Sequence, residues 1–177
     1  MDAIIQACKQ DELSANVQLV ICDKESAPGL EKARKQGIHT EVVLLKEFSS
    51  KEDYERRIVE LLNDNNIDFV CLAGYMKIVG LTLLNEYESK MINIHPSLLP
   101  SFKGLSPQRQ ALDCKVKFAG CTVHFVTKDL DNGPIIDQEI VKVDDQDTEA
   151  SLSAKILEKE HILYPRALKK LLSNINQ

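Results

Sequence analysis

The strongest constraint on the fold is the alternation of short apolar runs with segments of helical spacing. Residues 26–37 begin with turn residues and end at a glycine, and residues 51–65 carry apolar side chains on one helical face. The apolar runs around them predict buried strands: VQLVICD (17–23), TEVVLL (40–45), IDFVCLAG (67–74) and KMINIH (90–95). This alternation predicts an α/β fold with a largely parallel sheet.

The second half of the chain adds an antiparallel part. Residues 120–126 and 134–143 flank the turn-rich DLDNGP and predict a hairpin. Two helical segments, 148–163 and 166–173, are predicted to break near Pro165, because proline lacks the N–H that continues a helix. We found no repeat and no linker, so residues 1–177 are predicted to form one layered α/β domain.

Composition and charge exclude several classes of function. The net charge of −5 gives no general attraction to nucleic acid or to anionic membranes. No run of eighteen apolar residues predicts a membrane span, and charged residues interrupt the first twenty positions, unlike a signal peptide. The five cysteines form no C-x-x-C pair, which favours reduced core cysteines and argues against a zinc site. We therefore expect a soluble cytoplasmic protein without a bound metal.

Asn93 and His95 are the first candidates for catalysis. They lie two positions apart in a predicted strand, so their side chains share a face, and Pro96 and Pro100 stiffen the backbone that follows. An amide and an imidazole at the carboxyl end of a parallel strand suit acyl chemistry, in which an oxyanion is stabilised and protons are moved. The alternative is a structural histidine that hydrogen-bonds to the backbone at a strand end.

Asp131, within DLDNGP, is the third candidate. A carboxylate beside His95 favours the protonated imidazole. The alternative is an aspartate that only caps its own turn, the usual role of Asp before Asn-Gly.

Six motifs occur in order over residues 72–165: LAGYMKIV, NIHPSLLPSFKGL, RQAL, GCTVHFV, LDNGPII and EHILYP. This pattern resembles the phosphoribosylglycinamide formyltransferases, members of the formyl-tetrahydrofolate transferase superfamily. The resemblance implies transfer of a formyl group from 10-formyltetrahydrofolate to the amine of glycinamide ribonucleotide in purine biosynthesis, without a metal. It implies small-molecule substrates only, and a monomer or a homodimer.

The resemblance also assigns roles to residues. Asn93 matches the residue that binds the formyl oxygen, His95 the acid/base, and Asp131 the aspartate that favours protonation of that histidine and helps relay protons. The remaining matches line the folate pocket or contact the amine-bearing substrate: Lys51, Tyr75, Met76, Lys77, Ile78 and Val79 for folate, and Met76 and Glu160 for that substrate. The alternative for residues 75–79 is that they only pack between a strand and a loop. The alternative for Lys51 and Glu160 is that they are solvated charges on helix faces. His124 is predicted to be structural.

The chain departs from the family pattern at two places. GLSPQRQ (104–110) stands where many relatives carry histidines. We expect this difference to modify the properties of the site more than to abolish its activity. The family also opens with a strand and a Ser-Gly-x-Gly-Ser-Asn loop that holds the phosphate, whereas this sequence starts at the following helix, DAIIQACKQ. A hydrophobic slot and unpaired strand edges are expected in the place of that strand.

Three origins of this short start stay open: a start codon assigned too far downstream, an artificially shortened chain, or a natural truncation. Two other functions also stay open. One is another formyl-tetrahydrofolate-dependent enzyme, such as a methionyl-tRNA formyltransferase or a formyltetrahydrofolate hydrolase. The other is a catalytically impaired folate-binding remnant.

Overall fold

A computed structural model describes residues 1–175. The strands are β1 (Leu19–Cys22), β2 (His39–Val42), β3 (Val70–Leu72), β4 (Met91–His95), β5 (Phe118–Phe125) and β6 (Ile135–Lys142). The helices are α1 (Asp2–Lys9), α2 (Pro28–Lys35), α3 (Lys51–Asp64), α4 (Leu81–Glu86), α5 (Pro107–Asp113) and α6 (Glu149–Ile175), with a 3-10 turn at Leu45–Glu47.

The strands form two sheets that combine parallel and antiparallel pairing. β1 pairs with β2 in parallel, and the second sheet has the order β3-β4-β5-β6. β3 and β4 are parallel, whereas β4, β5 and β6 are successively antiparallel. The α/β fold with an antiparallel part is confirmed, and so is the hairpin of β5 and β6. β2 is shorter than predicted, because the chain turns into the 3-10 segment after residue 44.

The two sheets are separated between β1 and β3. Within residues 1–175, no strand pairing connects β1 to β3. Every residue of these two apolar strands is only partly buried, whereas Met91 and Ile92 of β4 are fully buried. The separation and the partial exposure agree with the slot that the sequence analysis expected, and packing of helices holds the two sheets together.

Helices cover both faces of the sheets, and β4 shows how its side chains divide between them. Met91 packs into a cluster with Tyr54, Ile58 and Leu83 on the side of α3 and α4. Ile92 packs into the other cluster, with Cys121, Val123, Leu152, Ile156 and Leu163, on the side of α1 and α6. Because side chains alternate along a strand, the residues that follow in β4 alternate in the same way.

The last helix is continuous, so the predicted break near Pro165 is wrong. Leu163, Tyr164, Ala167 and Leu168 are all buried on either side of the proline, and this packing offsets the lost hydrogen bond. The Tyr164 hydroxyl also donates to two strand carbonyls, Leu72 O at 2.7 Å and Ile92 O at 3.2 Å. Tertiary contacts therefore override the local preference of the proline.

Two short helices, α4 and α5, were not predicted. α5 starts with Pro107 at its first position, a placement that proline favours, after Ser106 in a left-handed conformation. Among the described residues, no helix combines the length and the apolar character that crossing a bilayer requires.

Candidate active site

Asn93 and His95 lie on the same face of β4, as predicted. The strand register sets Asn93 opposite His124 and His95 opposite Thr122 of β5. The Asn93 Nδ2 atom is 3.5 Å from the His124 Nε2 atom. The sheet itself therefore brings the predicted amide next to a second histidine.

The proline-containing loop after β4 is held by side chains of the hairpin. The Thr122 hydroxyl donates to Ser97 O (2.7 Å) and accepts from the Leu99 N–H (3.0 Å). The Gln138 amide donates to Leu99 O (3.0 Å) and to the Thr122 oxygen (2.9 Å). Residues 96–102 are thus fixed by buried hydrogen bonds as well as by the prolines.

Both nitrogens of the His95 ring face oxygen acceptors. The Nε2 atom is 2.9 Å from Phe102 O, and the Nδ1 atom is 3.4 Å from the Asp131 carboxylate. The ring is buried, with its side chain 7% exposed. The Nε2 atom faces a carbonyl and therefore donates, whereas the Nδ1 atom faces a carboxylate with which it can exchange a proton.

Asp131 joins the loops around the site. Its carboxylate accepts the Gly104 N–H at 2.9 Å, and it lies 3.4 Å from His95 and 3.7 Å from His124. Its backbone is left-handed (φ 47°), a conformation that Asp tolerates better than most residues. The predicted contact between Asp131 and His95 is present in the structure.

His124 lies in the site, although the sequence analysis predicted a structural residue. Its Nδ1 atom is 2.8 Å from Phe125 O, so this nitrogen donates, and Nε2 is left to accept the Asn93 N–H. Burial lowers the pKa of His124, which favours this neutral ring. His124 is identified as a site residue by its contact with Asn93 on the neighbouring strand. This contact can be recognised only when the strand register is known.

A cleft with a volume of about 60 Å³ opens beside these groups. Its walls come from β3, the loop after it, β4, β5 and the loop between β5 and β6. The lining residues are Leu72, Tyr75, Lys77, Ile78, Val79, Asn93, His124 and the segment 126–131. Four of the five predicted pocket residues at 75–79 line the cleft, whereas Met76 does not line it and is 77% exposed.

A second cavity of about 270 Å³ adjoins the cleft, since Lys77 and Ile78 line both. Lys51, at the start of α3, and Tyr54 complete much of its wall. Lys77 forms an ion pair with Asp23, just after β1, and its ammonium lies 5.6 Å from the centre of the Tyr54 ring. Two cations therefore stand beside an apolar space, which suits a ligand with an apolar body and an anionic end.

Glu160 lies away from both cavities. It projects from α6, and burial raises the pKa of its carboxyl, an effect that the nearby Met1 amine opposes. The structure thus brings Asn93 and Asp131 together with residues 75, 77, 78 and 79 in the cleft wall, with His95 behind Asp131, and it leaves Met76 and Glu160 outside the cleft.

The site consists of amide and imidazole N–H groups, a carboxylate and an apolar cleft. Such a set can stabilise an oxyanion and move protons without a covalent intermediate. Within the described part of the chain, no group of three or more His, Cys, Asp or Glu side chains is placed to hold a metal ion.

Comparison with known proteins places this arrangement in a family. The model of the formyl transferase family matches residues 1–168. The phosphoribosylglycinamide formyltransferase of Bacillus subtilis (strain 168) is 39% identical over 176 residues, which are 99% of this chain and 90% of that protein. The trifunctional purine biosynthetic protein adenosine-3 of Homo sapiens is 41% identical over 177 residues, and this chain spans only 18% of its length.

A solved structure gives the same result. The crystal structure of phosphoribosylglycinamide formyltransferase from Bacillus halodurans matches with a TM-score of 0.94 at 46% identity, covering 97% of this chain and 89% of that chain. The sequence resemblance is therefore confirmed, and the chain belongs to the formyl transferase family.

Proposed function

We propose that the protein transfers a formyl group from 10-formyltetrahydrofolate to the primary amine of glycinamide ribonucleotide. The observation that carries the proposal is the placement of Asn93 and Asp131 in the wall of an apolar cleft, with His95 in contact with Asp131. The names of the relatives support the same reaction.

The reaction needs one bond made and one broken. The amine nitrogen bonds to the formyl carbon, the bond from that carbon to N10 of the folate breaks, and one proton passes from the amine to N10. In between, the formyl oxygen carries negative charge. Asn93 is suited to stabilise this charge, because His124 accepts one N–H of its amide and thereby orients it.

Asp131 and His95 are assigned to the proton transfer. Asp131 reaches the cleft, and its carboxylate lies 3.4 Å from the His95 Nδ1 atom behind it. A carboxylate in contact with an imidazole can take the amine proton and pass it to the ring, or return it to N10. Burial of both side chains keeps water from competing for these positions.

The cleft and the second cavity are assigned to the folate. Tyr75, Ile78 and Val79 offer apolar walls for its rings, and Lys77 and Lys51 stand where an anionic tail can end. Glu160 is assigned to the amine-bearing substrate, with Met76 at the rim. Because both lie outside the cleft, this assignment rests on the family pattern alone.

The test is an assay of the purified chain with both substrates, followed by mass spectrometry of the formylated product. We expect Asn93→Ala to lower the rate by about 10²–10³-fold, the usual effect of losing one oxyanion donor. Asn85→Ala, an exposed asparagine of α4, is the control and should retain the rate. No transfer by the unmodified chain at saturating substrates would overturn the proposal, and formate release without the amine would indicate a hydrolase.

A further inference from the structure

Glu55 is a buried carboxylate in the second turn of α3, with 1% of its surface exposed. It belongs to neither cavity wall. An ionised carboxylate is costly to bury unless hydrogen bonds compensate it, so its partners indicate what it does.

Those partners are backbone N–H groups at the start of α4. The Gly80 N–H donates to Glu55 Oε1 at 2.6 Å, and the Leu83 N–H donates to Oε2 at 3.3 Å. The first N–H groups of a helix have no partner within the helix, and a carboxylate is a favoured acceptor there. Glu55 therefore attaches the start of α4 to α3.

This attachment lies directly after the segment that lines the cleft. Ile78 and Val79 precede Gly80, so the carboxylate fixes the end of that segment. A Cβ at position 80 would lie 2.4 Å from Glu55 Oε2, so the carboxylate would have to shift. Glycine at this position lets the carboxylate approach the backbone.

The same carboxylate faces a second part of the pocket. The Lys51 ammonium, one helical turn earlier, is 3.8 Å from Glu55 Oε1. Lys51 is about half exposed and lines the second cavity. One buried group is therefore in contact with the apolar wall of the cleft and with a cation beside it.

We propose that Glu55 is a positioning residue for the formyl donor: it holds residues 78–80 and Lys51 in the arrangement that binds the folate, without touching it. The inference rests on the proposed function for the identity of the ligand. The preorganised wall itself is a property of the free protein, and it can be measured without any substrate.

The experiment compares Glu55→Gln with Glu52→Gln, an exposed glutamate on the same helix that serves as the matched control. The glutamine keeps the shape but loses the charge and one acceptor. In the free protein, we expect faster amide hydrogen exchange at residues 78–83 in Glu55→Gln, with exchange in β4 and β5 unchanged. The KM for 10-formyltetrahydrofolate should rise about tenfold, as expected for loss of one hydrogen bond to a charged group, while kcat and the KM of the amine change little.

Gly80→Ala provides an independent variant, because its Cβ displaces the carboxylate from the other side. It should reproduce the local increase in exchange, and the double variant should show less than the sum of the two effects. A purely structural role predicts faster exchange throughout the protein and an unchanged KM, and either result would overturn the inference. If the unmodified chain transfers no formyl group, the proposed function fails, whereas the exchange measurement still decides whether Glu55 holds the segment.

Discussion

The four-stranded sheet and the two-stranded sheet differ in how completely they are buried. β4 and β5 carry fully buried residues such as Ile92 and Val123, whereas every residue of β1 is partly exposed. All three predicted catalytic residues lie on the four-stranded sheet or in its loops. The two-stranded sheet reaches the cleft through Asp23, which pairs with Lys77.

This difference separates two requirements of the site. The reacting groups need fixed positions, and a sheet with buried, hydrogen-bonded strands provides them. The outer wall of the cleft, at residues 75–79, instead depends on contacts with α3 and with the end of β1. Changes in the four-stranded sheet should therefore affect the whole fold, and changes near β1 should affect the wall.

The largest effect is expected from truncation of a fully buried strand residue. Ile92→Ala should lower the free energy of unfolding by about 3 kcal/mol, since it removes a buried side chain and leaves a cavity. Ile21→Ala in the partly exposed β1 should cost about 1 kcal/mol, because less surface is buried there. Urea denaturation of both variants measures the difference, and equal losses would mean that the two sheets are equally well packed.

The second-largest effect is expected on catalysis, from a change of the Asp131 carboxylate that contacts the loops around the site. Asp131→Asn keeps the acceptor for the Gly104 N–H but removes the charge that faces His95. We expect formyl transfer to fall by about 10²-fold, the usual contribution of an acid/base group. Asp64→Asn, an exposed aspartate at the end of α3, serves as the control in the same steady-state assay. Full activity of Asp131→Asn would remove this residue from the mechanism.

A smaller effect is expected at the ion pair of Asp23, just after β1, with Lys77 in the cleft wall. Hydrogen bonding to Lys77 lowers the pKa of the Asp23 carboxyl. Because both side chains are about one-third exposed, Asp23→Asn should cost only about 0.5–1 kcal/mol of stability. Hydrogen exchange should rise at residues 75–79 and stay constant in β5. A uniform rise across both sheets would contradict the view that this pair supports only the wall.

The smallest effect is the pH dependence from His124. Burial lowers the pKa of this histidine in the folded protein, so the unfolded chain binds the proton more readily. Its contribution to stability is complete above about pH 6.5 and is lost as the pH falls towards the lowered pKa. His124→Gln should reduce the pH dependence of the urea midpoint over this range. His161→Gln, a substitution at an exposed position of α6, should leave that dependence unchanged. An unchanged slope in His124→Gln would show that the ring is not buried in its neutral form.

Local patterns predicted much of the fold. The apolar run at 90–95 predicted β4 within one residue, and the turn residues around Asp131 predicted the β5–β6 hairpin. The pattern failed where packing decided the outcome. α6 continues through Pro165 because apolar residues on both sides are buried, and the six-residue α4 is too short to show helical periodicity.

The candidate site divides in the same way. Alternation along β4 was enough to place Asn93 and His95 on one face. No local signal revealed that His124 faces Asn93 or that Glu55 holds Gly80, since each contact joins distant parts of the chain. Their identification required the strand register and the packing of α3 against α4.

The hydroxyl of Tyr164 has a consequence for synthesis on the ribosome. It bridges the carbonyls of Leu72 and Ile92, which lie 92 and 72 residues earlier in the chain, and so joins two neighbouring strands. A growing chain therefore carries both strands, with Asn93 and His95, long before the residue that joins them has been translated. Until α6 has been translated, β3 and β4 lack the side chain that bridges them.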